Sequence, residues 1–332
     1  MTKKHNKAKA LLGAALLIII GLGVYIGYDN SQIAVKEQDV YIENLPQSFE
    51  GFRILQISDL HGKFFDKKQL KLINAVNRLD YDMAAFTGDM NRYEASNAKE
   101  SEAVLTLING MENRELLFWV DGNTGPFAME SLDGARTGRL TEMGRILSAP
   151  EYGCKVLLEP YAIERDGQRI WITPELSARE LEMTYGHLDA ERAGGQENLA
   201  LMKAYGEKSG EWLETLKGND EVKICLTHYP LGTNLSDEEW QGLGQLDYSL
   251  ILAGHYHGGQ FRIPGYGALY IPNPASGHGG YFPDQKDVMG LNDVNGIPQY
   301  ISAGLGASSS LRVFSFRTFN TPELNLIILR GK

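Results

Sequence analysis

The sequence predicts an α/β fold of two facing sheets with helices outside, preceded by a single membrane-spanning helix. Three observations carry this expectation. Short apolar runs recur from residue 53 onward, the first of them separated by stretches with helical spacing. A later set of closely spaced strand-like runs is punctuated by Gly and Pro, and an uncharged apolar segment of helix length stands near the amino terminus.

Lys3, Lys4, Lys7 and Lys9 precede the apolar run 10–28. At about 1.5 Å per residue this run approaches the roughly 30 Å of hydrocarbon in a bilayer. Lysines stay on the cytoplasmic side, so the segment is expected to run outward and make a single-pass cell-membrane protein with an extracytoplasmic domain. Tyr25 and Tyr28 suit an interface belt. A cleaved secretory signal is the rival reading, although such signals have a shorter apolar centre and a small-residue exit. Residues 1–30 are thus expected to form a basic start and anchor, 31–51 a linker, and 52–332 one folded domain.

The runs 53–58, 82–87, 116–120, 222–227, 248–253 and 299–303 read as buried strands. Between the first pairs, 67–79 carries Leu70, Ile73, Ala75 and Val76, and 98–111 carries Val104, Leu107 and Ile108, both at helical spacing. A strand–helix–strand–helix opening implies parallel pairing. The runs 156–158, 162–164, 169–172, 261–263, 268–271 and 324–329 are close together, which predicts antiparallel pairing. The stretch 175–216 is rich in Glu, Ala, Leu and Arg after Leu176 and predicts a helical insertion.

With 43% hydrophobic and 22% charged residues, the 332-residue chain has the composition of a folded protein rather than a disordered one. A formal net charge of −10 argues against nucleic acid as a partner, since phosphate backbones are held by surplus Lys and Arg. Phosphate handling on such a surface needs local positive charge, and bound metal ions supply it. Cys154 and Cys225, the two cysteines, are too far apart in sequence for a zinc knuckle, and Cys225 reads as a small buried apolar residue.

The chemistry-bearing residues fall at the exits of the apolar runs. Run 53–58 ends in Asp59-Leu60-His61, run 82–87 in Gly88-Asp89, and run 116–120 leads to Gly122-Asn123. Run 222–227 ends in His228 and run 248–253 in Gly254-His255-Tyr256-His257. Open α/β sheets place their sites at such carboxyl ends. In an extended segment, residues two apart leave on one face, so Asp59 with His61, and His255 with His257, can each share an ion. Asp89 after Gly88 suits a bridging carboxylate, and Asn123 offers a neutral carbonyl. This nitrogen and oxygen set suits Mn, Fe, Zn, Co or Ni. Taken singly, each piece reads as a turn or cap; the ordered combination points to metal.

Ser58-Asp59-Leu60-His61, Gly88-Asp89, Gly122-Asn123, Thr227-His228-Tyr229-Pro230 and Gly254-His255-Tyr256-His257-Gly258-Gly259-Gln260 resemble the ordered signature blocks of calcineurin-like metallophosphoesterases. The likeness is greatest to a bacterial branch with an amino-terminal membrane segment and a late Gly-Leu-Gly, here Gly304-Leu305-Gly306. The resemblance implies a four-layer αββα sandwich of two mixed sheets, two divalent metal ions, and hydrolysis of a phosphoester by hydroxide formed between them. It further implies that Asp59, His61 and His257 hold one ion, that Asn123, His228 and His255 hold the other, and that Asp89 bridges. Arg92 is a candidate phosphate contact.

One block departs from the pattern. The family reads Gly-Asn-His where this chain reads Gly122-Asn123-Thr124, and a threonine hydroxyl cannot replace an imidazolium as proton donor. Three expectations follow. The chain hydrolyses phosphodiester or pyrophosphate-linked substrates whose leaving group needs little protonation; or His278 or His187 substitutes; or the protein is a weak or inactive relative that keeps its metals as a ligand- or wall-binding module. A purely structural membrane protein would leave the five ligand-bearing turns unexplained.

Overall fold

The computed structural model describes residues 2–92, 97–232, 236–272, 280–308 and 315–332, with side chains from Lys9 onward. The chain begins with helix α1 (Thr2–Ser31) and strand β1 (Ala34–Ile42), followed by β2 (Arg53–Ile57), α2 (Leu70–Asn77), β3 (Met83–Thr87), α3 (Glu102–Gly110) and β4 (Leu117–Val120). A hairpin of β5 (Met129–Leu132) and β6 (Ala135–Leu140), then α4 (Glu142–Ser148), leads to β7 (Cys154–Val156). The second half holds β8 (Tyr161–Arg165), β9 (Gln168–Pro174), α5 (Ala178–Tyr185), α6 (Gln196–Leu216), β10 (Lys223–Leu226), α7 (Asp237–Leu243) and β11 (Leu250–Ala253). It ends with β12 (Arg262–Ile263), β13 (Gly267–Ala268), β14 (Gly290–Val294), β15 (Ile297–Ile301) and β16 (Glu323–Gly331).

Two six-stranded sheets result, ordered β1-β16-β2-β3-β4-β7 and β14-β15-β11-β10-β9-β8. Period-two alternation explains their stacking. In the first sheet Leu55, Ile57, Ala84, Phe86, Leu117 and Trp119 pack outward against Leu72, Val76, Val104 and Leu107 of the helices. The alternate residues Ile54, Met83, Ala85, Phe118 and Val120 meet Ile170, Ile172, Ile224, Leu226, Leu250 and Leu252 of the second sheet. On its far face Cys225 and Ile251 pack against Leu213 and Leu216 of α6. Helix, sheet, sheet, helix is thus the layer order, each fully buried large apolar side chain contributing about 1.5–3 kcal/mol of transfer free energy. Gln56 bolts the sheets together by donating to Thr87 Oγ1 at 3.0 Å and to the Ala253 carbonyl at 2.8 Å.

Two expectations need correction. Residues 31–51, expected as a linker, contain β1, which pairs in parallel with β16 and buries Val40 and Ile42. An edge strand has one solvated face, so Lys36, Glu37 and Asp39 mask the alternation. The closely spaced runs also pair less uniformly than expected: β8–β9 and β12–β13 are antiparallel, whereas β7 pairs in parallel with β4, and β16 pairs in parallel with β1 but antiparallel with β2. Residues 175–216 contain α5 and α6 and form the crossover that a parallel β9–β10 pair requires.

Helix α1 exposes Leu11, Leu12, Leu16, Leu17 and Ile18, while its last turn packs on the domain. Tyr25 lies 5.2 Å from the Phe319 ring, Thr321 Oγ1 donates to Asp29 Oδ1, and Lys63 Nζ donates to the Asn30 carbonyl at 2.7 Å.

Candidate metal centre

Strands β2, β3, β4, β10 and β11 point the same way and release their chains at one edge of the sandwich. Asp59, His61, Asp89, His228, His255 and His257 converge there, all buried; Asn123 is exposed at the rim. The ligand turns are not extended. Asp59, His61, Asp89, His255 and His257 all take positive φ, between 48° and 71°, so the paired residues converge through left-handed turns rather than the strand alternation expected from the sequence. Non-glycine residues hold such angles only where surrounding structure fixes them, a pattern common at functional sites.

Close backbone approach sets the remaining geometry. A Cβ on Gly122 would strike Asp89 Oδ1 and its amide nitrogen, and one on Gly88 would lie 2.5 Å from His228 Nδ1. These glycines let neighbouring strand ends meet.

Two groups of ligand atoms form, Asp59 with His61 and His257, and Asp59 with Asp89 and His228. His61 Nε2 lies 3.1 Å from His257 Nε2, and His257 Nε2 lies 3.5 Å from Asp59 Oδ1. On the other side His228 Nε2 lies 3.0 Å from Asn123 Oδ1 and 3.2 Å from His255 Nδ1. Asp89 spans the two: its Oδ2 is 3.5 Å from His61 Nε2 and its Oδ1 is 3.4 Å from His228 Nε2. Asp59 is differently placed, because its Oδ2 accepts from Ser58 Oγ at 2.5 Å and from the His255 amide at 3.2 Å.

Electrostatics fit a cation. Burial pushes His61 down to about 4 and His255 down to about 3, and drives His257 well below its ordinary value, leaving neutral imidazoles with lone pairs to offer. Burial raises Asp59 to about 6. Burial also disfavours charge on His228, but the adjacent Asp89 carboxylate outweighs it and holds the imidazole up to about 9, while His228 holds Asp89 well below the carboxylate range. Positive charge is therefore favoured between these residues. His228 Nδ1 donates to the Thr87 carbonyl at 2.9 Å, which directs Nε2 into the site. Among the described residues, buried His257 Nδ1 and His255 Nε2 meet no hydrogen-bond partner. A buried set of nitrogen and oxygen donors with so few internal partners suits divalent metal.

Thr124 adjoins this centre through its backbone. Its amide donates to Asp89 Oδ1 at 2.6 Å, while its hydroxyl turns away and donates to the Asn91 carbonyl at 2.9 Å. Of the expected substitutes for the missing histidine, His187 is exposed in the turn after α5, and His278 lies outside the described residues. Arg92 is exposed beside Gly62.

The sequence reading missed the clamp behind the ligands. Arg317 is fully buried and donates to the carbonyls of Gly304 at 3.0 Å, Gly306 at 2.8 Å and His257 at 3.3 Å. Asn320 Nδ2 also donates to the His257 carbonyl, at 2.6 Å. Gly304-Leu305-Gly306 was the available signal, since the Leu305 and Gly306 amides donate to the carbonyls of Ser58 and Asp59. Tyr229, whose ring centroid lies 4.5 Å from that of His255, forms part of the rim.

Residues 52–259 match the calcineurin-like phosphoesterase family. The chain is 22% identical over 324 residues to the uncharacterized metallophosphoesterase YkuE of Bacillus subtilis (strain 168), covering 97% of this chain and 94% of that protein. Among solved structures, phosphopantetheinyl hydrolase PptH from Mycobacterium tuberculosis superposes with a TM-score of 0.40 at 11% identity, over 77% of this chain and 91% of that one. A putative 5'-nucleotidase from Staphylococcus aureus in complex with alpha-ketoglutarate gives a TM-score of 0.38 at 11% identity, over 85% of this chain and 55% of that one. On the extent of the family match, the chain belongs to the calcineurin-like phosphoesterases.

Proposed function

We propose that the protein is a metal-dependent hydrolase of phosphodiester or pyrophosphate-linked substrates, held by α1 at the outer face of the cell membrane. The carrying observation is Asp89, whose two oxygens each face an imidazole from a different group. On this reading Asp59, His61 and His257 would hold one divalent ion, Asn123, His228 and His255 would hold a second, and Asp89 would serve both. Such ions supply Lewis acidity and a water of lowered pKa.

The chain's own residues do the positioning. The Thr124 amide orients Asp89, Ser58 and the His255 amide fix Asp59, and Arg317 holds the turn that presents His257. With the Thr124 hydroxyl bonded to Asn91, it is not free to act as a proton donor at the position of the family's histidine, which favours substrates with good leaving groups. The same contact is what favours a second reading, a weak or inactive relative acting as a ligand- or wall-binding module.

Retention of α1 as an anchor is supported by the contacts of Tyr25, Asp29 and Asn30 with the domain, which a cleaved signal would forfeit. The lysines before the span support an extracytoplasmic domain.

The test uses the full chain in detergent with Mn²⁺ and bis(para-nitrophenyl) phosphate. Turnover that disappears in Asp89→Ala is expected. Equal rates for the two proteins would refute the hydrolase reading, and metal-dependent thermal stabilisation without turnover would favour the binding module.

A further inference from the structure

The segment after the ligand His61 reads Lys63-Phe64-Phe65-Asp66-Lys67-Lys68-Gln69-Leu70-Lys71, a local cluster of lysines on a chain of net charge −10. Phe64 is 39% exposed and Leu70 51% exposed, with Lys67 and Lys68 exposed between them. Asp66 stays ionised, its carboxylate accepting the amides of Lys68, Leu70 and Lys71 at the start of α2, so the segment sets four lysines against one acid. The mixture of apolar tips and ammonium groups is that of an interfacial segment, in which apolar side chains enter the headgroup region and lysines meet lipid phosphates.

Its place in the fold agrees. Lys63 Nζ reaches the Asn30 carbonyl and Lys71 Nζ the Ser31 carbonyl, so both ends of the segment touch the last turn of the apolar helix. Phe319 packs on Tyr25, six residues before the helix end and therefore roughly 9 Å further down its axis. The underside of the domain thus reaches below the top of the span.

We propose that Phe64, Lys67, Lys68 and Leu70 form a second membrane contact, lying against an anionic bilayer surface beside the anchor. The proposal rests on the reading of α1 as a membrane span. It explains why solvent-facing phenylalanine and leucine accompany lysines here, and it sets the candidate metal centre, with His61 two residues before Lys63, close above the lipid headgroups.

Full-length chains carrying Phe64→Trp, Leu70→Trp, Tyr25→Trp or Tyr41→Trp, reconstituted in vesicles with brominated acyl chains, test it. Tyr41 is the control, exposed near the far end of β1 and roughly 23 Å from Ala34 along the strand. Beyond the signal of the native tryptophans, Phe64→Trp and Leu70→Trp should be quenched in phosphatidylcholine containing phosphatidylglycerol, and Tyr41→Trp should not. Adding Lys67→Glu with Lys68→Glu should weaken the contact equilibrium by roughly 30-fold or more. Quenching at 64 and 70 no greater than at 41 overturns the proposal, and quenching indifferent to charge reversal overturns its electrostatic half. Absence of quenching at 25 would instead refute the span itself, so the two failures are distinguishable.

Discussion

Asn30 and Arg317 exchange two hydrogen bonds: Asn30 Nδ2 donates to the Arg317 carbonyl at 2.8 Å, and Asn30 Oδ1 accepts from the Arg317 amide at 2.8 Å. A side-chain amide at the end of α1 therefore pairs with the backbone of the residue whose guanidinium supports the His257 turn. The end of the apolar helix is structurally continuous with the metal centre, one arginine side chain away.

The first prediction follows from that pairing. Asn30→Ala removes three hydrogen bonds, the two to Arg317 and one to the Ile26 carbonyl, and should destabilise the full chain by about 2–3 kcal/mol; Arg317→Met strands several buried carbonyls and should cost about 3 kcal/mol or more. Thermal denaturation in detergent reads both, and added Mn²⁺ should stabilise Arg317→Met less than wild type. An unchanged melting temperature in Asn30→Ala would mean the pairing contributes nothing.

Gly122→Ala tests how tightly Asp89 is held. The added methyl would occupy the space of Asp89 Oδ1 and its amide nitrogen, neither of which can withdraw without moving the β3 turn. Turnover should fall by about 10²-fold, the scale expected for an ångström of misplacement, with the circular dichroism spectrum unchanged. Wild-type turnover would show that the site tolerates the shift.

What the sequence disclosed depended on whether chemistry or packing chose a residue. Asp59, His61, Asp89, His228, His255 and His257 were legible because rare residue types recur at the ends of apolar runs, and the structure brings them together. Their left-handed turns were not legible, because Asp and His at positive φ look the same in sequence as Asp and His in a strand. Strand β1 was hidden by its solvated face, whereas β2, β3 and β4 are buried on both faces and read as continuous apolar runs. Arg317 was invisible for a different reason: apart from Asn320 Oδ1, the acceptors of its guanidinium are backbone carbonyls, which carry no sequence signature.

Thr124 separates a backbone role from a side-chain role. Its amide orients Asp89 and its hydroxyl serves only Asn91, so Thr124→Ala should leave kcat within about threefold of wild type, the loss of one ordinary hydrogen bond. Thr124→His should raise rates on alkyl esters, whose leaving oxygen needs a proton, by up to about 10²–10⁴-fold while changing aryl esters little. Parallel steady-state assays on the two ester classes decide it, and an equal change in both would argue against a missing proton donor.

Glu175 offers a test of stability against pH that stands apart from the metal ligands. It follows β9 at the same edge of the second sheet, where Thr227 Oγ1 donates to its Oε2 at 3.2 Å. Burial, reinforced by the neighbouring Glu180 carboxylate, pushes it from 4.5 up to about 7. The folded chain then binds this proton more tightly than the unfolded chain does. Its contribution to stability is present below the unfolded value and is lost as the pH rises through the folded one, with a slope of at most about 1.4 kcal/mol per pH unit. Over that window the loss is at most about 3 kcal/mol, and the partial exposure of the side chain reduces it. Glu175→Gln removes the titration while keeping an acceptor for Thr227, so urea unfolding in chelator should show a smaller decline from pH 5 to pH 8 than wild type. Identical declines would mean that Glu175 ionises in the folded protein as freely as in the unfolded chain.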